Sequence, residues 1–402
     1  MRNWAVHPSD DDASRVAREV KIHPVVAAIL LRRGFSEPSE IFRFLNPSFE
    51  SLEDPFAFRD MAKAVDRVRR AIAGKEKILI YGDYDVDGIT GSAILYPVLK
   101  KMGADVEAHI PHRMNDGYGL NRAALEKLLE QKFKLVITVD NGITGADHVR
   151  FLNEKGADVI IVDHHTPKEE IPPAFAIVSA VAGGKGDSNL AACGLAFKLA
   201  WALLGNFEDV KEYLDLVVVG TVADLATVLG DNRIILKEGL ALLSKTKRPG
   251  LRALMDVARI EKNFISYRDI AFGLGPRINA SGRMGSPLTA FKLLTTENVL
   301  EARNLAQVLD EGNRDRQRVE ASAFEEAVER VELDPLKNTQ KILVLESDSW
   351  HEGVLGIIAA RLVERYRKPA IVISLKKGLV KVPGGPCLRF LSMIACCRTN
   401  IF

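Results

Sequence analysis

The chain is poor in cysteine. Among its 402 residues there are four, Cys193, Cys387, Cys396 and Cys397, and no two form a CxxC pair. That spacing argues against a disulfide framework or a zinc–thiolate cage, so any metal must be held by oxygen and imidazole. A dominant charge is also lacking. Lys and Arg number 55 against 53 Asp and Glu, for a net charge of +2. The total therefore neither demands nor excludes nucleic acid, because a local basic patch decides that question. No apolar run approaches the roughly 18 residues of a membrane span. The N-terminal MRNWAVHPSDDDASR has acids and no apolar stretch, which is unlike a secretory signal. A cytoplasmic protein with no membrane partner is the expectation. There is no Walker-type phosphate loop, and no Ser or Cys nucleophile with an evident partner. The remaining composition, 47% hydrophobic and 27% charged, is that of a globular protein long enough for two or three domains.

Residues 1–60 read as short helices broken by Pro24, Pro38, Pro47 and Pro55, a cap without visible chemistry. From Ala62 onward, short apolar runs alternate with helical spacing. KILIY (77–81), DVEAHI (105–110), LVITVD (135–140) and ADVIIVD (157–163) suit buried strands. ITGSAILYPVLKKMG (89–103) and NRAALEKLLEQ (121–131), the latter with Asn121 as N-cap, suit helices. This alternation predicts an α/β fold with a doubly wound parallel sheet over 61–296, whose ligands bind beyond the carboxyl ends of the strands. LDLVVVGTVADLA (214–226) is a further apolar run reaching a single acid, Asp224. The polar segment 297–333 predicts a solvated connecting helix. KILVLE (341–346), VLGIIAARLVERYRK (354–368) and AIVIS (370–374) then open a second α/β unit over 334–379.

Acids recur where these runs end. In YGDYDVDGIT (81–90), Asp83, Asp85 and Asp87 lie two apart, and in extended chain they share one face. Three such carboxylates repel unless a cation neutralises them; an acidic surface turn is the alternative. VDNGIT (139–144) places Asp140 at the next strand end, where a turn or helix cap is the competing reading. VDHHT (162–166) supplies Asp163, His164 and His165. Carboxylate with imidazole suits Mn²⁺, Fe²⁺ or Zn²⁺, and an adjacent Asp can orient a metal-site His. Asp224 follows the same logic, against a capping role. Taken together, four apolar runs ending in Asp or Asp-His-His form a cluster able to hold two cations about 3.5–4 Å apart, bridged by one carboxylate. In GPRINASGRM (275–284), Arg277 and Arg283 offer planar forks for phosphate, Asn279 can position a phosphate or water, and Arg113 lies beyond the second strand. For each Arg singly, a surface salt bridge competes. His351 and Glu352 open the second unit, with a capping role as the alternative.

DYDVDG (83–88), VDNG (139–142), VDHH (162–165) and GTVAD (220–224) resemble, in order and spacing, the motifs of the DHH phosphoesterase superfamily. RMNDGYGL (113–120), GPRINASGRM and HEGVLGIIAARL (351–362) make the chain similar, within it, to the RecJ-type single-strand DNA exonucleases, over about residues 20–378. The resemblance implies a DHH domain joined by a long helix to a DHHA1-like domain. It implies two-metal hydrolysis of single-stranded DNA from the 5′ end, in repair and recombination, with two Mn²⁺ or Mg²⁺ ions. The implied ligands are Asp85, Asp87, Asp140, His164 and Asp224, with Asp140 as bridge. His165, with Asp163 beside it, would polarise the phosphate or assist proton transfer, and Asp83 stands near with its role open. Arg113 and Arg283 would lie near a 5′-phosphate, with Arg277, Asn279 and His351 as further substrate contacts. A helicase or single-strand-binding protein is the implied accessory partner.

The resemblance stops after AIVIS, where a glycine-rich GxGRS segment is expected and KKGLVKVPGGPCLRFLSMI stands. Codons compatible with VKVPGGPCLRFLSMI, shifted by one base, can encode GKGSGRSLPAFSLYD. A frameshift near Leu379 is therefore expected, with residues 380–402 out of frame and the second domain incomplete. Metal binding is expected to survive this and processive digestion is not. Two other functions remain open: a phosphodiesterase for short oligonucleotides or cyclic dinucleotides, and a non-catalytic scaffold for DNA or replication proteins.

Overall fold

Proline opens the N-terminal helices rather than breaking them. In α2 (Pro24–Arg32) and α3 (Pro38–Leu45), Pro24 and Pro38 stand at the first helical position, where a missing N–H has no intrahelical partner to lose. With α1 (Asp11–Val20) these helices bury Val16, Ala27, Leu30 and Ile41 in a small core of their own. The structure, a computed structural model, describes residues 11–112, 116, 119–181, 186–334 and 339–375. Beyond these it gives the backbone of three short strands, Leu379–Val382, Gly385–Leu388 and Ser392–Ala395. The expected out-of-frame tail thus lies outside the residues whose side chains are described.

Helix α4 (Met61–Ala73) leads into a five-stranded parallel sheet. Its strands are β1 (Ile78–Tyr81), β2 (Val106–His109), β3 (Leu135–Val139), β4 (Asp158–Val162) and β5 (Ala176–Val178), in the order β2-β1-β3-β4-β5. Alternate residues of β1 enter opposite cores. Ile78 and Ile80 join the large core beneath α4, α5 (Val86–Lys101) and α8 (Ala192–Leu204). Leu79 and Tyr81 join a second core under α6 (Arg122–Leu129) and α7 (Ala146–Glu154). A sheet covered on both faces needs strands that are apolar throughout, which is why these runs show no alternation. The chain leaves β1 toward β2 on one side and returns to β3 on the other. The crevice at the carboxyl ends of β1 and β3 is therefore the topological switch point.

One expectation needs correction. The run 214–226, grouped with the strands by its apolar continuity, is helix α9 (Leu214–Ala223), and Asp224 is its C-cap. All nine residues from Leu214 to Val222 are buried, so no polar face exists to give a helical period. The glycine-rich stretch after Phe272 is also helical. A π-helical turn, Asp269–Leu274, runs directly into α12 (Gly275–Met284), and Pro276, which cannot donate to the preceding turn, sits just past the widened segment. Strand β5, three residues long, has no clear sequence signal.

Between these elements, α10 (Gly230–Leu243) packs beside α9, α13 (Pro287–Thr295) packs on α5, and α11 (Pro249–Val257) packs against α13. The 34-residue α14 (Val299–Glu332), capped by Asn298, spans two cores. Its Ala302, Ala306 and Leu309 belong to the main core. Its Ala323, Ala327 and Val331 belong to another formed with β6 (Leu343–Ser347), α15 (Leu355–Tyr366) and β7 (Ala370–Ser374).

Candidate metal centre

Three strand tips and one helix end deliver the acids. Asp83 follows β1, Asp140 follows β3, Asp163, His164 and His165 follow β4, and Asp224 ends α9. The shared-face reading of Asp83, Asp85 and Asp87 holds only as far as Asp85. That residue is extended (φ −92°, ψ −177°) and caps α5, accepting from Gly88 N at 3.1 Å. Helical geometry then turns Asp87 away from the other two. Gly88 is required here, since a Cβ on it would come within 2.5 Å of Asp83 N.

Asp87 gains a different support. Its two carboxylate oxygens accept from Ala192 N (2.7 Å) and Cys193 N (2.8 Å) at the start of α8. The N-cap of α8 is Ala191, which has no capping side chain. A carboxylate over a hundred residues away performs that capping, and the helix's positive end in turn holds the acid in place. LAACGLAF gives no hint of this in sequence, because the cap is tertiary.

The acids and histidines form three overlapping groups. Asp140, His164 and His165 form one, Asp87, His164 and Asp224 another, and Asp83, Asp85 and Asp140 the third. Within each group the ligand atoms lie within 4.8 Å of one another. Asp140 and His164 each belong to two groups. His164 Nε2 is 3.3 Å from Asp140 Oδ1 and 3.7 Å from Asp87 Oδ2. Asp140 adopts φ +64°, a left-handed conformation that Asp tolerates better than most residues. The next residue, Asn141, ties this bend down by donating from Nδ2 to Val139 O (2.9 Å) and Tyr81 O (3.3 Å).

The electrostatics are those of a crowded anionic cavity. Burial, then repulsion from Asp85, Asp87, Asp83 and Asp163, pushes the Asp140 carboxyl well above its ordinary range. Burial and Asp85 raise Asp87. Burial, Asp87 and Asp85 bring Asp224 to about 7. The C-terminal end of α9 adds partial negative charge at the same place. Asp140 Oδ1 and His164 Nε2 are buried, and among the described residues neither has a hydrogen-bond partner. Orphaned buried acceptors amid mutually repelling acids fit divalent cations, and the carboxylate and imidazole donor set suits hard or borderline ions.

His165 is fixed from the side. Its Nδ1 lies 2.8 Å from Asp163 Oδ1, and this hydrogen bond raises its pKa. Asp163 also accepts from Ile143 N at 3.0 Å, joining the loops after β3 and β4. The residues expected to bind substrate are placed differently. Arg277 was expected as a phosphate fork. Its guanidinium, largely buried, is instead closed into a pair with Asp310 of α14 (2.9 and 2.8 Å) and a bond to Gly273 O; a fork with so little water around it needs a carboxylate. Arg283 donates to Gly353 O at 3.0 Å. His351 caps the turn 352–354, accepting from Gly353 N at 3.0 Å, so the capping alternative describes its contact. Asn279 is half-buried on α12, and Arg113 lies outside the described residues.

The sequence and the fold are similar to those of known proteins. Residues 77–221 match the DHH family, N-terminal domain. The single-stranded-DNA-specific exonuclease RecJ of Bacillus subtilis (strain 168) is 39% identical over 383 residues, covering 94% of this chain and 48% of the relative. That of Thermus thermophilus is 35% identical, covering 91% and 53%. This chain therefore spans about half the length of those relatives. A crystal structure of exonuclease RecJ bound to manganese superposes with a TM-score of 0.73 at 35% identity, covering 80% of this chain and 82% of that one. The crystal structure of RecJ from Thermus thermophilus in complex with Mn²⁺ superposes at 0.76, with 32% identity, covering 90% and 52%. No helix among the described residues is long and apolar enough to cross a membrane. With its acids gathered at the switch point of a matching sheet, the chain belongs to the RecJ family of DHH proteins.

Proposed function

We propose that this chain hydrolyses phosphodiester bonds of single-stranded DNA with two divalent cations, Mn²⁺ or Mg²⁺, in the 5′→3′ manner of RecJ-type exonucleases serving repair and recombination. The observation that carries the reading is the convergence of three ligand groups linked through Asp140 and His164, each of which belongs to two of them. Asp85, Asp87, Asp140, His164 and Asp224 would hold the ions, with Asp140 common to both. Once bound, divalent cations lower the pKa of a coordinated water and offset phosphate charge.

The chain's own residues do the rest. The N-terminus of α8 holds Asp87 in a fixed orientation. Asp163 fixes the His165 ring through Nδ1, leaving Nε2 to carry a proton toward a phosphate oxygen or the departing deoxyribose oxygen. Asp83 stands with Asp85 and Asp140 in one of the three groups. Arg113, Arg283, Asn279 and His351 would contact the strand near its 5′-phosphate, whereas Arg277 holds α12 against α14. Residues 1–60 serve as a helical cap, 61–296 as the hydrolytic domain, 297–333 as the connector and 334–379 as part of a DHHA1-like domain. Cytoplasmic location, and a helicase or single-strand-binding protein as accessory, follow from the same reading.

Incubation of a 5′-phosphorylated single strand with Mn²⁺ tests the proposal. Distributive, non-processive release of mononucleotides is expected from the parent chain and not from Asp140→Ala or His164→Ala. Equal turnover in those variants refutes the site. Hydrolysis of a dinucleotide but not of a longer strand would favour a small-substrate phosphodiesterase instead.

A further inference from the structure

A run of exposed aromatic side chains lies on the segment that leads into α12 and has no role in the chemistry above. Phe264, Tyr267 and Phe272 are 78%, 55% and 72% exposed. They sit on the segment that enters the π-helical turn Asp269–Leu274, and Arg268 lies among them with its guanidinium 5.9 Å from the Phe272 ring. Burial would ordinarily claim rings of this size, and three within so short a stretch exceed the scattered exposure of single apolar residues.

Position gives the run a direction. The π-helical turn packs on α9, and a Cβ on Gly275 would come 3.4 Å from Ala223 Cβ, one residue before Asp224. The turn that carries Phe272 thus packs on the helix that ends at Asp224, beyond which Leu225 is 84% exposed. The helical segment begins with Ser266 and Asp269 locked together, Ser266 N and Oγ both donating to Asp269 Oδ2 (2.8 and 2.7 Å). That engages the nearest acid in capping. Arg268 has no ion-pair partner among the described residues. Planar rings interleaved with an unpaired guanidinium match a single-stranded nucleic acid, whose bases stack and whose phosphates pair with cations. π-Helical turns, rare in general, are frequent at functional sites.

We propose that Phe264, Tyr267 and Phe272, with Arg268, form a stacking platform for unpaired bases of a strand whose backbone enters the centre past Asp224. This rests on the single-strand reading of the site and adds to it a subsite that reads bases, not charge.

The test uses the full chain with Ca²⁺, to allow binding without turnover, and fluorescent oligo(dT) or an abasic oligomer of equal length and charge. The parent is expected to bind oligo(dT) about tenfold or more tightly than the abasic strand. Phe272→Ala and Tyr267→Ala should each cost roughly tenfold for oligo(dT) and little for the abasic strand, and Phe272→Trp should restore binding. Thermal unfolding of each variant serves as the fold control, and little change is expected from such exposed positions. If the parent binds oligo(dT) and the alanine variants bind it equally, the platform is overturned while the single-strand reading stands. If the parent binds neither strand, the single-strand reading itself fails. Variants that change self-association but not strand affinity would assign the rings to a protein interface and overturn the platform.

Discussion

Two clusters of acids in the interior of this molecule are finished differently. In the first, Glu53 N donates to Asp231 Oδ1 (3.1 Å), Asp231 N to Asp187 Oδ2 (2.7 Å) and Asp187 N to Glu53 Oε2 (2.7 Å), a closed ring. The ring is completed by Lys198, fully buried, 2.7 Å from Asp231 Oδ2 and bonded to Glu53 O. It fastens the segment after α3 to α8 and α10. In the second, at the strand tips, the acids face one another, and Asp140 Oδ1 and His164 Nε2 are left without hydrogen bonds among the described residues. Buried charge costs free energy in either place. The ring meets that cost with its own amides and a lysine and is thereby structural. The strand-tip cluster leaves it unmet, which marks a place for cations from outside.

Breaking each cluster should therefore give opposite signatures. Asp140→Asn is expected to lower hydrolysis by roughly a thousandfold and to abolish the rise in melting temperature caused by Mn²⁺. The metal-free protein should be as stable as the parent or more so, because one repelling charge is gone. Lys198→Met is expected to destabilise by about 3–5 kcal/mol in urea unfolding, since Asp231 would be buried without its partner. Its folded fraction should bind Mn²⁺ as the parent does. If Lys198→Met proves harmless, or Asp140→Asn unfolds the chain, the contrast between the clusters is wrong.

A subtler change sharpens the same contrast. Asp163→Asn removes the charge that holds His165 but none of the grouped ligand atoms. About 10- to 100-fold loss of activity is expected, with the His165 pKa, followed by NMR, falling toward its ordinary value. An unchanged His165 titration would break that assignment.

The smallest expected effect is one of pH. Asp224 titrates near 7 in the folded metal-free chain against an ordinary 3.8, and Asp87 and Asp140 are raised in the same sense. Between these values the folded state holds protons that the unfolded chain has released. Metal-free stability is therefore greatest at the acid end and declines as pH rises from about 4 to about 7. Cations displace those protons, so the Mn²⁺-induced gain in melting temperature should grow over the same interval. A gain that is constant from pH 5 to 8 would contradict it.

The sequence by itself determined the parallel sheet and the acids at its strand ends. A strand covered on both faces must be apolar throughout, so 78–81, 135–139 and 158–162 announce themselves, and the polar residues that stop each run stand out. It also pointed to oxygen and imidazole as the donors for any metal, because no cysteine pair exists. Only the tertiary structure decided the rest. A helix buried all round has no period, so α9 read like the strands and the route of Asp224 into the centre was hidden. Tertiary packing turned Asp87 onto the amides of α8, committed Arg277 to Asp310, and left three aromatic rings in the open. Each of those outcomes depends on partners far away in the chain, and local pattern carries only the information of near neighbours.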